Sequence, residues 1–596
     1  MPYKQPTATI EVRHQDDSTS DKTAIVDATS TISYLYLTFD TPLPLPDLSD
    51  ESLPPIPNLQ RLRRPLSWSP ARKYGVLAVA CLAVFISAYS AGAYSPAAAL
   101  AAEKLATTNT VMLIGMVTFC LGLGLGPMFL APVSEIWGRL PVFAAAAVNL
   151  LVSQIICSVA EHPAVLLTMR FLVGVGASVF SIIASGVVVD LWDKQDRNTP
   201  MAIFSGFLIA GYAAGPLVAT VLVGAIEDHW LLWRWTFWHQ AMADAAVLTA
   251  FFVVIRESRE SVVLTKRARL LNKWYEELET RGSYGLWMTD KMSYHQSSPS
   301  SSKSATKRTG NSSASAESTL GTYRRIRWLV RDDKERLSSG RIIATSIFRP
   351  LYLLFTEPIV FFFSLWTAFA WGVLYLSFSI LPLLHKAEPE RSIRVYGAMI
   401  TASAFGTAAS IVQQRLLRHP QWREHENESF LFVDSRFWAF MRRRFPVEAP
   451  EARLYMTCLS ALLLPLGLAV ALVLPRFTEK YAEALGMGIA TWGIFSIYLA
   501  SLNYLADAYG TYASSTLASQ NFCRNMTGGS FQLLTAAMLS NLGRLGVGAV
   551  LGSIAALLSV TPWVFVFFGE RMRASSKFAR VSCMSRHDLP SKSNTR

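Results

Sequence analysis

Twelve long apolar segments restrict the fold of this chain more than any other feature of its sequence. A bilayer core about 30 Å thick requires about 20 helical residues, because the backbone must satisfy its own hydrogen bonds there. The segments run near 74–98, 110–131, 141–160, 164–190, 200–225, 235–255, 353–384, 394–416, 454–475, 483–508, 513–540 and 544–569. The sequence therefore predicts an all-α membrane protein with twelve transmembrane helices.

The composition supports a membrane location and argues against other classes. Hydrophobic residues make up 51% of the 596 residues and charged residues only 16%, and the mean hydropathy is +0.30. The formal charge of +13 fits the positive-inside rule and an anionic inner leaflet, so we expect no nucleic-acid binding. Five of the six cysteines stand in apolar runs without metal-site spacing, and we expect neither a disulfide framework nor a cofactor.

Hydrophilic stretches divide the chain into five predicted parts. These are a disordered cytosolic tail (1–73), a six-helix bundle (74–255), a basic and partly disordered cytosolic loop (256–349), a second six-helix bundle (350–569) and a cytosolic tail (570–596). Ser/Thr-rich residues 297–318 should be unstructured. The basic flanks, 263–278 and 323–337, are predicted to form amphipathic helices on the membrane surface.

The distribution of basic residues predicts the orientation. The long loop holds 19 Lys and Arg against 10 Asp and Glu, and further basic clusters precede the first segment and follow the last. Both termini should therefore lie in the cytosol. Six segments on each side of the loop predict two pseudo-symmetric six-helix bundles around a central cavity. We expect a monomer in the plasma membrane, with the vacuolar membrane as the alternative.

Three local patterns stand out along the first half of the chain. The first is GPMFLAPVSEIWGRLP at 126–141, in which Gly138 permits a tight turn and Glu135 can pair with Arg139 four residues later or with a neighbouring helix end. The second is Arg170 inside the fourth segment. A charged side chain is costly there, so it should either face a cavity and find a partner or snorkel to the membrane interface. The third is GFLIAGYAAGPLVA at 206–219, whose small residues favour close helix packing.

Together these patterns resemble the major facilitator superfamily, in the branch of fungal twelve-span drug:proton antiporters that contains polyamine and multidrug exporters. WRWTFWHQ (233–240), RPLYLLFTEPIVF (349–361) and the block 504–534 extend the resemblance to about residues 70–575. It implies a cytosolic latch formed by Glu135, Gly138 and Arg139, proton coupling at Arg170, and an antiporter motif with Gly211, Gly215 and Pro216. The sequence departs from the family in Val218-Ala219 after the proline and in RESRESVVL after the sixth segment.

The acids and aromatic residues inside the segments are the remaining candidates. Export against a proton usually needs a membrane carboxylate, and besides Arg170 the candidates for proton coupling are Asp244, Glu357 and Asp507. His239 flanks an aromatic belt and fits the membrane interface better. Aromatic rings hold flat or cationic compounds by stacking and cation–π contact, and we expect them to bind substrate at Tyr89, Trp371, Tyr375, Tyr498 and Tyr504.

The resulting hypothesis is a secondary active transporter that exports a drug, toxin or secondary metabolite by proton antiport with alternating access. A polyamine exporter and a proton-coupled importer of a small nutrient are alternatives, and a transporter-like membrane sensor is a third. The shortage of deep carboxylates favours a neutral or amphipathic compound over a polyamine. We expect no enzyme, because the sequence has no catalytic metal cluster, nucleophile elbow or phosphate-binding loop.

Overall fold

The architecture is taken from a computed structural model. It describes residues 31–44, 54–55, 57–193, 196–225, 229–281, 284, 286–289, 321–330, 339–386, 388–419, 422, 440–441, 443–447, 449–474 and 481–580. The Ser/Thr-rich segment 297–318 lies outside the described residues. The chain divides into two compact units, one formed by Met1–Leu62 with Leu264–Glu335 and the other by Arg63–Val263 with Arg336–Arg596.

The larger unit contains the membrane spans, which we number in chain order. Spans 1 to 6 are Pro70–Gly92, Asn109–Trp137, Arg139–Val159, Pro163–Leu191, Asn198–Ala225 and His229–Val254. Spans 7 to 10 are Pro358–Leu384, Pro389–Leu417, Thr457–Val473 and Ala482–Tyr509. Two further helices, Tyr94–Lys104 and Ser339–Thr356, precede spans 2 and 7.

Spans 11 and 12 form one continuous helical stretch, Ala513–Leu558, followed by Thr561–Ser575. Gly543, with φ of +63°, breaks this stretch and separates the two spans. Ten described helices are long and apolar enough to cross a membrane, and one of them is the double-length stretch Ala513–Ser575. With that stretch divided at Gly543, and with the shorter apolar helix Thr457–Val473 as span 9, the twelve predicted spans are confirmed.

The spans are arranged as two equivalent halves. In the first half span 1 packs on span 5 and span 2 on span 4; in the second, span 7 packs on span 11 and span 8 on span 10. The pairs in the second half are those of the first with six added to each number. Between the halves, span 2 contacts span 11 and span 5 contacts span 8. The predicted pair of pseudo-symmetric bundles is therefore confirmed.

Small residues let these spans approach closely. A side chain at Gly122 would collide with the carbonyl oxygen of Phe171, and one at Gly174 with that of Phe119. Spans 2 and 4 therefore meet backbone against backbone, which is the usual way for membrane helices to gain van der Waals contact. We call the end of the spans at Pro70, Gly138 and Pro358 the basic side and the end at His385 and Gly543 the opposite side.

The smaller unit contains a three-stranded sheet with the order β1-β3-β2. Strand β1 (Ile32–Tyr36) runs parallel to β3 (Gly321–Leu329), and β2 (Leu286–Thr289) is antiparallel to β3. The structure differs here from the expected disordered tail, since the alternating apolar residues of ISYLYL form a paired strand. The predicted amphipathic helix at 323–337 is also corrected, because β-branched and aromatic residues favour β3.

A helix at Glu260–Thr280, which we call the loop helix, covers the predicted first flank. Its apolar face is buried in the core of the smaller unit, with Leu271, Trp274 and Tyr275 packed near Ile326 and Trp328. The indole N–H of Trp274 donates to the carbonyl oxygen of Pro54 at 3.1 Å. The apolar face thus covers protein instead of the membrane surface on which we expected it.

Candidate functional site

Aromatic rings from both halves meet at the centre of the larger unit. Tyr212 of span 5 lies 5.9 Å from Trp371 and 5.5 Å from Tyr375 of span 7, measured between ring centroids. Trp371 lies 4.9 Å from Tyr498 of span 10. Tyr212, Trp371, Tyr375 and Tyr498 form what we call the central box, and all four are buried. Such pairs contribute about 0.5–1.5 kcal/mol each beyond the area they bury.

A buried arginine of span 11 completes the box. The guanidinium carbon of Arg524 lies 4.4 Å from the ring centroid of Trp371 and 5.0 Å from that of Tyr498. Its Nη2 donates to Asn521 Oδ1 at 2.8 Å, while its Nε has no hydrogen-bond partner among the residues that the structure describes. The sequence-based reading missed Arg524, although a charge eleven residues into an apolar span is by itself a signal of function.

Three of the five predicted substrate residues lie in the box, and two lie elsewhere. The hydroxyl of Tyr89 is 2.7 Å from His239 Nε2, within the first half. Tyr504 stacks on Phe363 at 4.7 Å between ring centroids and also packs against Phe565. Because it is fully buried among these rings, Tyr504 supports the packing of spans 7, 10 and 12 and does not face the central box.

The antiporter motif packs span 5 onto span 1. A side chain at Gly211 would collide with the carbonyl oxygen of Phe85, and one at Gly215 with that of Tyr89. In return, a side chain at Gly92 would collide with the ring of Pro216. These glycines bring span 5 close to span 1 and place the adjacent Tyr212 in the central box.

The latch motif joins three spans at the basic side. Arg139 is buried, and its Nε donates to Asp190 Oδ2 of span 4 at 2.8 Å. Glu257, just after span 6, accepts from the backbone N–H of Arg139 at 3.1 Å and of Leu140 at 3.3 Å. Gly138 has φ of +100°, and a side chain there would collide with the Glu257 carboxylate. The sequence RESRESVVL, which departs from the family pattern, thus supplies Glu257, the acid that accepts hydrogen bonds from the first backbone N–H groups of span 3.

Glu135 does not take part in this network. Its side chain is exposed, and no ion pair of Glu135 occurs in the part of the chain that the structure describes. Arg139 does not pair with Glu135 as suggested. It pairs with Asp190, which is distant in sequence and whose two carboxylate oxygens both accept from the guanidinium. Sequence spacing alone could not distinguish these partners.

Arg170 is fully buried in the first half and does not reach the interface. Its guanidinium lies over the rings of Tyr94, at 4.3 Å, and Phe119, at 4.6 Å. Its Nη1 donates to the carbonyl oxygen of Ser90 at 3.3 Å, and its Nε has no hydrogen-bond partner in the described part of the chain. No carboxylate of the described residues forms an ion pair with it, so aromatic faces and a carbonyl replace the acid usual for a membrane arginine.

Two of the predicted acids, Asp244 and Glu357, are buried. Asp244 Oδ2 in span 6 has no hydrogen-bond partner, which costs about 1–3 kcal/mol or more for a charged group. Glu357 precedes span 7 and accepts from the hydroxyl of Tyr509 at 3.1 Å. The two acids therefore differ in their surroundings, because Glu357 has a hydrogen-bond donor and Asp244 Oδ2 has none among the described residues.

Asp507 joins the two halves at the basic side. Its carboxylate pairs with Arg453 at 3.0 Å and with Arg197, just before span 5, at 3.6 Å. Next to it, Asn503 of span 10 donates to Asn198 of span 5 at 2.8 Å. A cavity of about 330 Å³ adjoins this contact, lined in part by Asn198, Arg453 and Asn503.

On the opposite side, a hydrogen bond joins the halves and a charged cluster lies within the second half. Ser95 Oγ lies 3.0 Å from Ser379 Oγ of span 7. His385 Nε2 lies 2.7 Å from Glu483 Oε2, and Glu483 also pairs with Arg544. This cluster ties the ends of spans 7, 10 and 12, and none of its members was predicted from the sequence.

Two six-helix halves that meet at a buried polar and aromatic centre define a polytopic membrane transporter. The family model described as Major Facilitator Superfamily matches residues 80–532, and the chain belongs to this superfamily. The predicted family is thereby confirmed.

Similarity to curated proteins places the chain near fungal efflux proteins. It is 26% identical over 518 residues to the efflux pump radE of Floropilus chiversii, covering 86% of this chain and 83% of that one. It is also 26% identical over 496 residues to the citrinin biosynthesis cluster MFS transporter mrr1 of Monascus ruber, covering 82% and 85%. The xylose transporter XylE from E. coli, in a partially occluded inward open conformation, shares the fold with a TM-score of 0.52, 12% identity and coverage of 83% and 98%.

Proposed function

We propose that this protein exports small organic molecules, of the drug, toxin or secondary-metabolite class, by proton antiport with alternating access. The observation that carries the proposal is the central box, which is built from spans 5, 7, 10 and 11 and lies between contacts at both membrane sides. On the basic side the halves are joined by Arg197 and Asp507, and on the other by Ser95 and Ser379. Breaking one contact while keeping the other would open the box to one side at a time.

The direction of transport rests on the relatives and on span 5. Relatives of similar length are named as an efflux pump and as the transporter of a biosynthesis cluster. The glycines of the antiporter motif pack span 5 on span 1 and position Tyr212. We place the basic side in the cytosol and the protein in the plasma membrane, where proton influx would drive export, with a monomer as the working unit.

Proton exchange is assigned to Asp244, with Arg170 as the fixed positive charge of the first half. The buried carboxyl of Asp244, whose Oδ2 lacks a hydrogen-bond partner among the described residues, can gain or lose a proton when the conformational change alters its exposure to water. Glu357 and Asp507 hold partners at the span ends, so we assign them to the conformational change. In this scheme the Arg139 network stabilises closure at the basic side.

The proposal is tested by comparing the metabolites retained in cells with and without the protein, followed by flux assays in vesicles. The compound that cells retain without the protein should accumulate in inside-out vesicles when their lumen is acidic. A protonophore should stop this accumulation. Accumulation driven only by an alkaline lumen would instead identify an importer, and a compound flux indifferent to the pH gradient would contradict antiport.

A further inference from the structure

The central box carries a positive charge that no acid of the described chain balances. Arg524 is 5% exposed and lies about halfway along span 11. Its nearest partners are the Asn521 carboxamide and the faces of two rings. Among the described residues no carboxylate forms an ion pair with it. A buried guanidinium without a counter-ion is unfavourable in a low dielectric.

The acids elsewhere in the larger unit do not offset this charge. Glu451 pairs with Arg573 and Glu483 with Arg544. Asp244 is in span 6, which does not contribute to the central box. Arg170 adds a second buried guanidinium on span 4 without an ion pair in the described chain. The membrane interior around the box therefore favours a negative ligand.

The buried polar atoms of the box include several hydrogen-bond donors. Arg524 Nε is buried without a hydrogen-bond partner among the described residues, whereas Trp371 Nε1 and the Tyr375 hydroxyl interact with the hydroxyl of Tyr212 from the other half. Two of these groups can only donate. A buried donor left unpaired calls for a functional explanation. An anion with several acceptor oxygens can accept from Arg524 Nε and, once the halves separate, from Trp371 Nε1 or the Tyr375 hydroxyl.

The rings around Arg524 define the rest of the ligand. Trp371 and Tyr498 are tilted by 48° with centroids 4.9 Å apart, and Tyr212 from the other half meets Trp371 edge on. When the halves separate, the contact of Tyr212 with Trp371 and Tyr375 is lost and aromatic faces are exposed. A flat conjugated ring can replace that contact by stacking.

We infer that the central box binds organic anions, with an acidic group on Arg524 and a flat ring against Trp371 and Tyr498. This inference rests on the proposed export function and specifies its substrate class. Aromatic sulfonates, carboxylates and phenolates fit this description. A polyamine does not, because its charges would meet Arg524 with the same sign.

The test uses three probes that share the naphthalene ring system and differ in charge. They are 2-naphthalenesulfonate, 2-naphthol and N,N,N-trimethyl-2-naphthylammonium, measured in inside-out vesicles with an acidic lumen. The wild-type protein should accumulate the sulfonate at least about tenfold above the trimethylammonium probe. Accumulation of the neutral or cationic probe without the sulfonate would overturn the anion inference and leave proton-driven export standing.

Variants of the box separate charge from packing. Arg524→Gln should lower sulfonate accumulation at least about tenfold, and Arg524→Lys should restore part of it, because lysine keeps the charge without the fork of donors. Trp371→Phe keeps a ring but removes the indole donor, and should lower sulfonate accumulation more than that of 2-naphthol. Equal sulfonate accumulation by Arg524→Gln and wild type, at matched protein levels in the vesicles, would refute the assigned role.

Discussion

At the residue scale, the side chains that share a motif have different surroundings. Glu135 and Arg139 stand one helical turn apart in sequence, yet one is exposed and the other is buried against Asp190 and the Glu257 carboxylate. A buried charge that loses its partner costs several kcal/mol, whereas an exposed one costs little. The motif therefore contains one residue that fixes the spans and one whose side chain is exposed in this conformation.

This contrast gives a paired prediction. Arg139→Gln should reduce the initial export rate at least about tenfold, because Asp190 would be left half-buried without its cation. Glu135→Gln should change that rate less than about threefold if its carboxylate has no role in closure. Both rates are measured in vesicles at equal protein content. A Glu135→Gln defect as large as that of Arg139→Gln would place the acid in an ion pair formed only in the other conformation.

Asp244 gives a second prediction at this scale. Asp244→Asn keeps the shape of the side chain but removes the site for a proton, and no described residue forms an ion pair with Asp244 that the change would break. Export down a substrate gradient should persist, while accumulation driven by an acidic lumen should fall at least about tenfold. Glu357→Gln, which keeps an acceptor for Tyr509, serves as the control. A variant that still concentrates substrate with the pH gradient would remove Asp244 from the coupling scheme.

At the scale of elements, glycine positions decide how span 3 begins. Gly138 has φ of +100°, and an added side chain would collide with Glu257, whereas Gly75 in span 1 has open space around it. Gly138→Ala should therefore destabilise the protein by about 1–3 kcal/mol, and Gly75→Ala should leave it unchanged. Thermal unfolding in detergent measures both. Equal unfolding temperatures for the two variants would contradict the conclusion that the backbone at position 138 requires glycine.

The smaller unit gives a pH-dependent prediction. Burial alone would raise the pKa of Glu279, but hydrogen bonds from Arg327 and Arg325 outweigh it and hold that pKa below its usual 4.5. A carboxylate with a lowered pKa stabilises the folded state above the unfolded pKa, and this stabilisation is lost as the pH falls through the lower, folded value. Glu279→Gln should remove it, increasing protease cleavage of residues 260–330 at pH 7 but having little effect once the pH lies below the folded pKa of Glu279.

A cleavage rate that is the same for Glu279→Gln and wild type at pH 7 would count against this ion-pair cluster. Glu276→Gln is the matched control, because its carboxylate is 62% exposed and lies 3.7 Å from Arg327. The exposed pair of Glu276 with Arg327 should contribute at most about 1 kcal/mol to the free energy of unfolding.

The spans could be predicted from sequence because length and hydropathy are local properties, and twelve were found where the helices lie. The box was predicted in part, since Trp371, Tyr375 and Tyr498 stand on spans that the family places around its centre. Arg524 was accessible to the same reasoning but was not recognised as an intramembrane charge. The pairing of Ile32 with Arg325 could not be predicted from local sequence patterns, because strand partners so far apart in the chain produce no periodicity in the sequence that links them.

At the scale of the whole molecule, the two halves are held together at the basic side by charge. Asp507 is the acid between Arg453 of its own half and Arg197 of the other. Asp507→Asn should weaken this contact and shift the population toward opening on that side. A cysteine introduced at position 503 should then react at least about threefold faster with a membrane-impermeant thiol reagent.

Glu451→Gln is the control for this experiment. Its pair with Arg573 lies within the second half, so its loss should destabilise that half without changing access between the halves. If Asp507→Asn leaves the labelling rate at position 503 unchanged, the ion pair across the halves has no part in closing the basic side.

The parallel pairing of β1 with β3 also imposes an order of events during synthesis. Ile32 and its partner Arg325 are 293 residues apart, and at 5–20 residues per second a ribosome needs about 15–60 s to make the intervening chain. During that interval six spans enter the bilayer, and strand β1 remains without its partner strand β3. Because an even number of crossings returns the chain to the face it left, a single missed crossing among the six would leave the two strands on opposite faces and the sheet could not close.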